Sequence, residues 1–126
     1  MSLNILHDGL ANACFIFSLV ISGYGFWAFA RNQGVGGSFL GVIIIGELLF
    51  LAQAGVGVLL ALQGLAPARG WVHYLYGVVQ IISLPGLFAY LRGRDARREA
   101  LMYAVLGLFL AGIALRAMGT AVTALP

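Results

Sequence analysis

The sequence contains no lysine and a single cysteine, and only 9% of its 126 residues are charged. One cysteine excludes an internal disulfide and a thiolate metal cluster. A soluble domain has about 25% charged and about 45–50% apolar residues, whereas 62% of this chain is hydrophobic. Its mean hydropathy is +1.01. The composition therefore argues against a water-soluble globular domain, a disordered segment and a nucleic-acid-binding protein.

Apolar residues form four long runs separated by short polar connections. A helix needs about 20 apolar residues to cross the ~30 Å hydrocarbon core of a bilayer, since it rises about 1.5 Å per residue. We therefore predict an all-α membrane protein in which four transmembrane helices form an antiparallel bundle. The bundle is a single domain covering residues 1–126, with spans at about 10–30, 38–62, 71–91 and 100–124.

The arginines predict the orientation of the bundle in the membrane. Five of the seven lie in the connections at 31–37 and 92–99, namely Arg31, Arg92, Arg94, Arg97 and Arg98. Short loops rich in Arg stay on the cytoplasmic side. We expect an integral protein of a bacterial inner membrane with these two connections in the cytoplasm. Both termini and the connection at 63–70 then lie on the outer side.

The chain resembles itself at an offset of 61 residues. Segment 21–31 aligns with segment 82–92, and five of the eleven aligned positions are identical. Each copy describes the inner end of an inward-running helix that ends at an arginine. This match predicts two similar helical hairpins in tandem, although membrane helices also share such composition without duplication.

Polar residues inside the spans are the candidates for function, because ionisable groups in hydrocarbon are costly and usually face the bundle interior. Glu47 and Gln80 each lie about nine residues into their spans, near the middle of the membrane. At a shared level the Gln80 amide can hydrogen-bond to the carboxyl group. Arg116 lies about sixteen residues into the fourth span, near the outer interface and level with His73 and Gln53.

Helical spacing places these groups on two stripes that we expect to face the interior. The first span contributes His7, Ala11, Cys14, Ser18, Ser22 and Gly25, and the third contributes His73, Tyr76, Gln80 and Ser83. The pairs Gly37/Gly41 and Gly107/Ala111 predict close helix contacts in the second and fourth spans. An alternative interpretation is that both stripes serve packing alone.

Two cofactor hypotheses follow from these stripes. His7 and His73 come from different helices and have the chemistry of the two axial ligands of a b-type haem, with Arg116 binding a propionate. Alternatively, His73, Tyr76 and Gln80 on one helix offer hydrogen bonds to a quinone or a pigment.

Glu47 suggests a transport function. A carboxyl group at the membrane midplane can exchange its proton for a cationic substrate. Gln53 and Gln80 are further polar residues for such a pathway. Catalysis is disfavoured because the connections, of about eight residues at most, are too short to build a site outside the bilayer.

The sequence favours a small membrane protein that acts by association with other membrane subunits or with a second copy. We expect an accessory or cofactor-bearing subunit that holds haem, a quinone or a pigment. The alternative is a small dimeric proton-coupled transporter or channel that uses Glu47.

Overall fold

The predicted bundle of four helices is confirmed. In a computed structural model, the backbone is described for residues 3–64 and 71–122, and the side chains for 5–64 and 73–117. The helices are α1 (Leu3–Ala30), α2 (Gly37–Leu62), α3 (Trp71–Leu91) and α4 (Arg97–Val122). Most of the predicted connection at 63–70 and the last residues of the fourth predicted span lie outside the described residues.

All four helices are long and apolar enough to cross a membrane. Large apolar side chains point outward along them, including Ile16 on α1, Leu48 on α2, Val78 on α3 and Phe109 on α4. An apolar exterior of this extent is typical of a protein whose solvent is lipid. The chain is therefore a small integral membrane protein.

The helices form a closed ring in which each one contacts two neighbours: α1 packs on α2 and α4, and α3 packs on the same two helices. The contact between α1 and α4 is the most extensive, and that between α2 and α3 is the least. The bundle is therefore tight on one side and looser along the opposite α2–α3 seam.

The stripe predicted on α1 does face the interior, and Cys14, Ser18 and Ser22 are buried. The Ser18 hydroxyl donates to the Cys14 carbonyl at 2.8 Å, which satisfies that polar group within its own helix. Gly37 and Gly41 make no close helix contact within this bundle. A Cβ atom at either position would meet nothing within 4 Å, because neither glycine faces a neighbouring helix.

The fourth helix begins three residues before its predicted span. The Ala96 N–H donates to the Glu99 carboxylate at 3.2 Å, and a glutamate three residues after the cap residue typically stabilises a helix start in this way. The charged residues at 97–99 therefore belong to the first turn of α4 and not to a loop.

The two arginine-rich connections lie together at one end of the bundle. The Val35 N–H donates to the Asp95 carbonyl at 2.8 Å, and Arg97 Nε donates to the Phe29 carbonyl at 2.7 Å. The Arg97 guanidinium also lies 3.7 Å from the centroid of the Phe29 ring. This end is held by polar contacts, whereas His7 and His73 lie near the opposite end of the bundle.

Candidate functional site: paired polar cavities in the bundle

Two adjoining cavities lie in the half of the bundle remote from the arginine-rich connections. The α1 cavity has a volume of about 330 Å³ and is lined mainly by α1 residues between His7 and Cys14, with Ala114 on α4. The α2–α3 cavity has a volume of about 200 Å³ and is lined by α2 residues between Phe50 and Val58 and by α3 residues. Both cavities share five lining residues, which are His7, Gln53, His73, Gln80 and Ala117. We call them together the paired cavities.

The two histidines meet across the interior of the bundle. His7 lies on α1 and His73 on α3, and the centroids of their rings are 6.2 Å apart with an angle of 61° between the ring planes. Because α1 and α3 stand on opposite sides of the ring of helices, the two imidazoles bridge its centre.

Each histidine is positioned by a different contact. A Cβ atom at Gly57 on α2 would lie 3.4 Å from His7 Cε1, an ordinary van der Waals distance, so this ring packs against the α2 backbone. The His73 imidazole hydrogen-bonds with the backbone of Ala117 on α4. Neighbouring helices therefore help to fix both rings.

Three side-chain atoms in the paired cavities are buried without a hydrogen-bond partner among the described residues. They are His7 Nδ1, Gln53 Oε1 and Gln80 Nε2, which come from three different helices. Gln80 is only 6% exposed. An unpaired buried polar group costs about 1–3 kcal/mol, so these atoms have strong preferences for a partner inside the cavities.

Most of the remaining lining is small or apolar, and Asp8 and Asn12 add two polar side chains to the α1 cavity. Alanine and glycine contribute from all four helices, at Ala11, Ala54, Gly57, Gly77, Ala114 and Ala117. Ligand sites are typically clefts of about 300–1,000 Å³ with an apolar lining and a few convergent polar groups. The paired cavities have both properties, and they can bind a ligand through hydrogen bonds or through imidazole nitrogens.

The structure brings together four of the residues chosen from the sequence: His7, Gln53, His73 and Gln80 line both cavities. It does not bring Arg116 to them. Ala114 and Ala117 on α4 line the α1 cavity, and each residue of a helix is rotated by about 100° from the one before it. Arg116 consequently faces away from the site and is exposed.

Two further candidates also lie outside the cavities. Tyr76 is half-buried on α3 but lines neither of them, and the same is true of Glu47 on α2. The hydrogen bond that a shared level would allow between Gln80 and Glu47 is absent, because Glu47 Oε1 and Gln80 Nε2 both lack a partner among the described residues. Gln80 instead shares its cavities with Gln53, which lies six residues further along α2.

Sequence reasoning missed several lining residues. Tyr74 borders the α2–α3 cavity, as do Gly57 and Gly77. The two glycines had a usable signal, since Gly77 lies four residues after His73 and Gly57 four residues after Gln53. Residues four apart share one helix face.

Comparison with protein-family models, curated proteins and solved structures finds no match to this chain. A functional proposal must therefore come from the chemistry of the site, since a four-helix bundle alone does not specify a function.

Proposed function

We propose that this membrane protein is a cofactor-bearing subunit whose cofactor binds in the paired cavities. The observation that carries the proposal is the convergence of three buried, unpartnered polar atoms from three helices, on His7, Gln53 and Gln80. A bound molecule that supplies their missing partners removes the free-energy cost of burying them.

The lining favours an organic cofactor over simple helix packing. Helix packing alone is best served by side chains that fill the space, yet small residues such as Ala54, Gly57 and Gly77 leave open volume around the polar atoms. Water is a less suitable occupant, because each buried water molecule requires several polar partners. Most of this lining is apolar and suits the body of a larger ligand.

Association with other membrane subunits, or with a second copy, is the second part of the proposal. The described connections are short, so a cofactor inside the bundle must act on neighbours within the bilayer. Gly37 and Gly41 lie on α2 with nothing within 4 Å of a built Cβ atom. Glycines that are open in this way allow another transmembrane helix to approach closely.

Filling the cavities tests the first part of the proposal. Leucine at Gly57 or at Gly77 places a large side chain into the α2–α3 cavity. Gly55→Leu, two residues before Gly57 on α2, adds an equal volume to an open surface and serves as the control. We expect each cavity variant to lower the bound cofactor per chain at least about ten-fold. The Gly55→Leu control keeps the wild-type amount.

The measurement is the absorption spectrum of protein purified in mild detergent, combined with mass spectrometry of its organic extract. Purified protein that carries only bilayer lipids contradicts the proposal. So does a cofactor that the Gly57→Leu and Gly77→Leu variants retain at wild-type occupancy.

We propose proton-coupled transport as the second candidate function, because Glu47 has a buried carboxylate oxygen without a partner among the described residues. A carboxyl group at this depth usually marks a functional position. Glu47 lies outside the paired cavities, however, so it supports this function by a separate observation and not through the site described above.

Liposomes that contain the purified protein and an internal pH-sensitive dye test the transport candidate. Tetraphenylphosphonium serves as the cationic probe. We expect its addition to drive proton release through the wild-type protein, Glu47→Gln to reduce that rate at least about ten-fold, and Asp95→Asn in a connection to leave it unchanged. Equal rates for Glu47→Gln and the wild type eliminate the candidate.

A further inference from the structure

We infer that His7 and His73 are the two axial ligands of one b-type haem, an inference that rests on the proposed cofactor-binding function. The distance between the two rings supports it first. Histidine nitrogens bind first-row transition metals at about 2 Å, and the ring centroid lies about 1 Å beyond the nitrogen. Two imidazoles on opposite sides of one iron therefore have centroids about 6 Å apart, and those of His7 and His73 are 6.2 Å apart.

The contacts of the two rings fit the same role. A metal-binding histidine commonly donates its other ring N–H to a backbone carbonyl, which fixes the orientation of the ring. His73 hydrogen-bonds with the backbone of Ala117, which is a contact of this kind. His7 has a buried Nδ1 without a partner among the described residues.

The donor set favours a porphyrin over a bare metal ion. The described residues contain no group of three or more His, Cys, Asp or Glu side chains that could hold a metal ion. Two imidazoles alone leave most positions around an iron empty. A porphyrin supplies four equatorial nitrogens of its own, so the protein needs to provide only the two axial ligands.

The shape of the site also suits a planar macrocycle. The plane of a haem passes between its axial ligands, and the paired cavities both border the histidine pair. A substituted porphyrin is larger than either cavity alone and has to occupy both. Small residues on each side, such as Ala11 in the α1 cavity and Gly57 and Gly77 in the α2–α3 cavity, leave room for its edges.

The experiment is expression of the full chain in cells supplied with 5-aminolevulinate, followed by purification in mild detergent. We expect one haem per chain with the spectrum of six-coordinate, low-spin iron. His7→Ala and His73→Ala should each lower haem occupancy at least about ten-fold or convert the iron to five-coordinate, high-spin haem. The Tyr76→Phe control, which changes α3 outside the cavities, should match the wild type.

A second variant keeps the test decisive if an alanine variant fails to fold. Methionine also serves as an axial haem ligand, so His7→Met should retain haem while shifting the spectrum to that of His–Met ligation. Added imidazole should restore the low-spin spectrum of His7→Ala.

The possible contrary results separate the two proposals. A colourless protein that carries a quinone or another cofactor overturns haem ligation and leaves the proposed function standing. A protein without any bound cofactor overturns both. Haem that stays low-spin and fully bound in both alanine variants overturns the assignment of these two ligands.

Discussion

At the residue scale, two glycines set the distance between α1 and α4. A Cβ atom at Gly107 would lie 2.8 Å from the Ser22 backbone nitrogen and 2.9 Å from the Ser18 carbonyl oxygen. A Cβ atom at Gly25 would lie 2.7 Å from Ala104 Cβ. Because the atoms in the way at Gly107 belong to the backbone, a larger residue there forces the helices apart.

We predict that Gly107→Leu destabilises the bundle by about 1–3 kcal/mol, the usual cost of overpacking. Gly112→Leu is the matched control, since it makes the same change on the same helix where a built Cβ atom meets nothing within 4 Å. Thermal unfolding in detergent, followed by circular dichroism, measures both. Equal midpoints for the two variants would show that the close contact contributes nothing to stability.

The period of the α-helix predicted much of the residue-level pattern. The stripe through Cys14, Ser18 and Ser22 faces inward because residues three and four apart share a face, and the same rule placed Gln80 inside. The rule does not say which neighbour a face meets. For this reason Gly107 forms a close contact whereas Gly37 faces open space, although both lie in similar small-residue patterns.

At the scale of helices, hydrophobicity predicted the existence of all four spans but not their ends. The start of α4 depends on the hydrogen bond from Ala96 to Glu99, which is a local polar interaction that hydropathy does not record. The sequence also did not reveal the register between helices, that is, which residues of neighbouring helices lie at the same level. Counting residues from uncertain span ends placed Gln80 level with Glu47, whereas packing places it in the same cavities as Gln53.

The pairing of the two histidines depends on the order of the helices around the ring. His7 and His73 are 66 positions apart in the sequence and lie on helices that do not adjoin. Helical periodicity predicted that each histidine lies on the side of its helix that faces the interior. Only the order of the helices around the ring brings the two faces together, so their distance could not be derived from spacing.

At the scale of the whole molecule, the internal match at an offset of 61 residues remains a prediction, and its two copies differ in surroundings. Gly25 is buried against α4, whereas Gly86, the matching position, meets nothing within 4 Å. If the hairpins share an origin, they have since taken different roles in packing.

The orientation of the molecule in the membrane gives the last prediction. The contact between Val35 and Asp95 requires the connections that contain these residues to lie on one side of the membrane, and their arginines predict the cytoplasmic side. Gln63, at the end of α2, then lies on the outer side. Cys14 is the only cysteine and is 1% exposed. We therefore expect a thiol-reactive maleimide not to label the wild-type chain.

We expect a membrane-impermeant maleimide to label Gln63→Cys in intact spheroplasts, and to label Gln33→Cys and Arg94→Cys only after the membrane is opened. All three positions are exposed, so accessibility is limited by the membrane and not by the fold. The reverse pattern would show that the arginines do not set the orientation. Labelling of Gln33→Cys and Arg94→Cys from opposite sides would be more serious, because one end of a bundle cannot face two compartments.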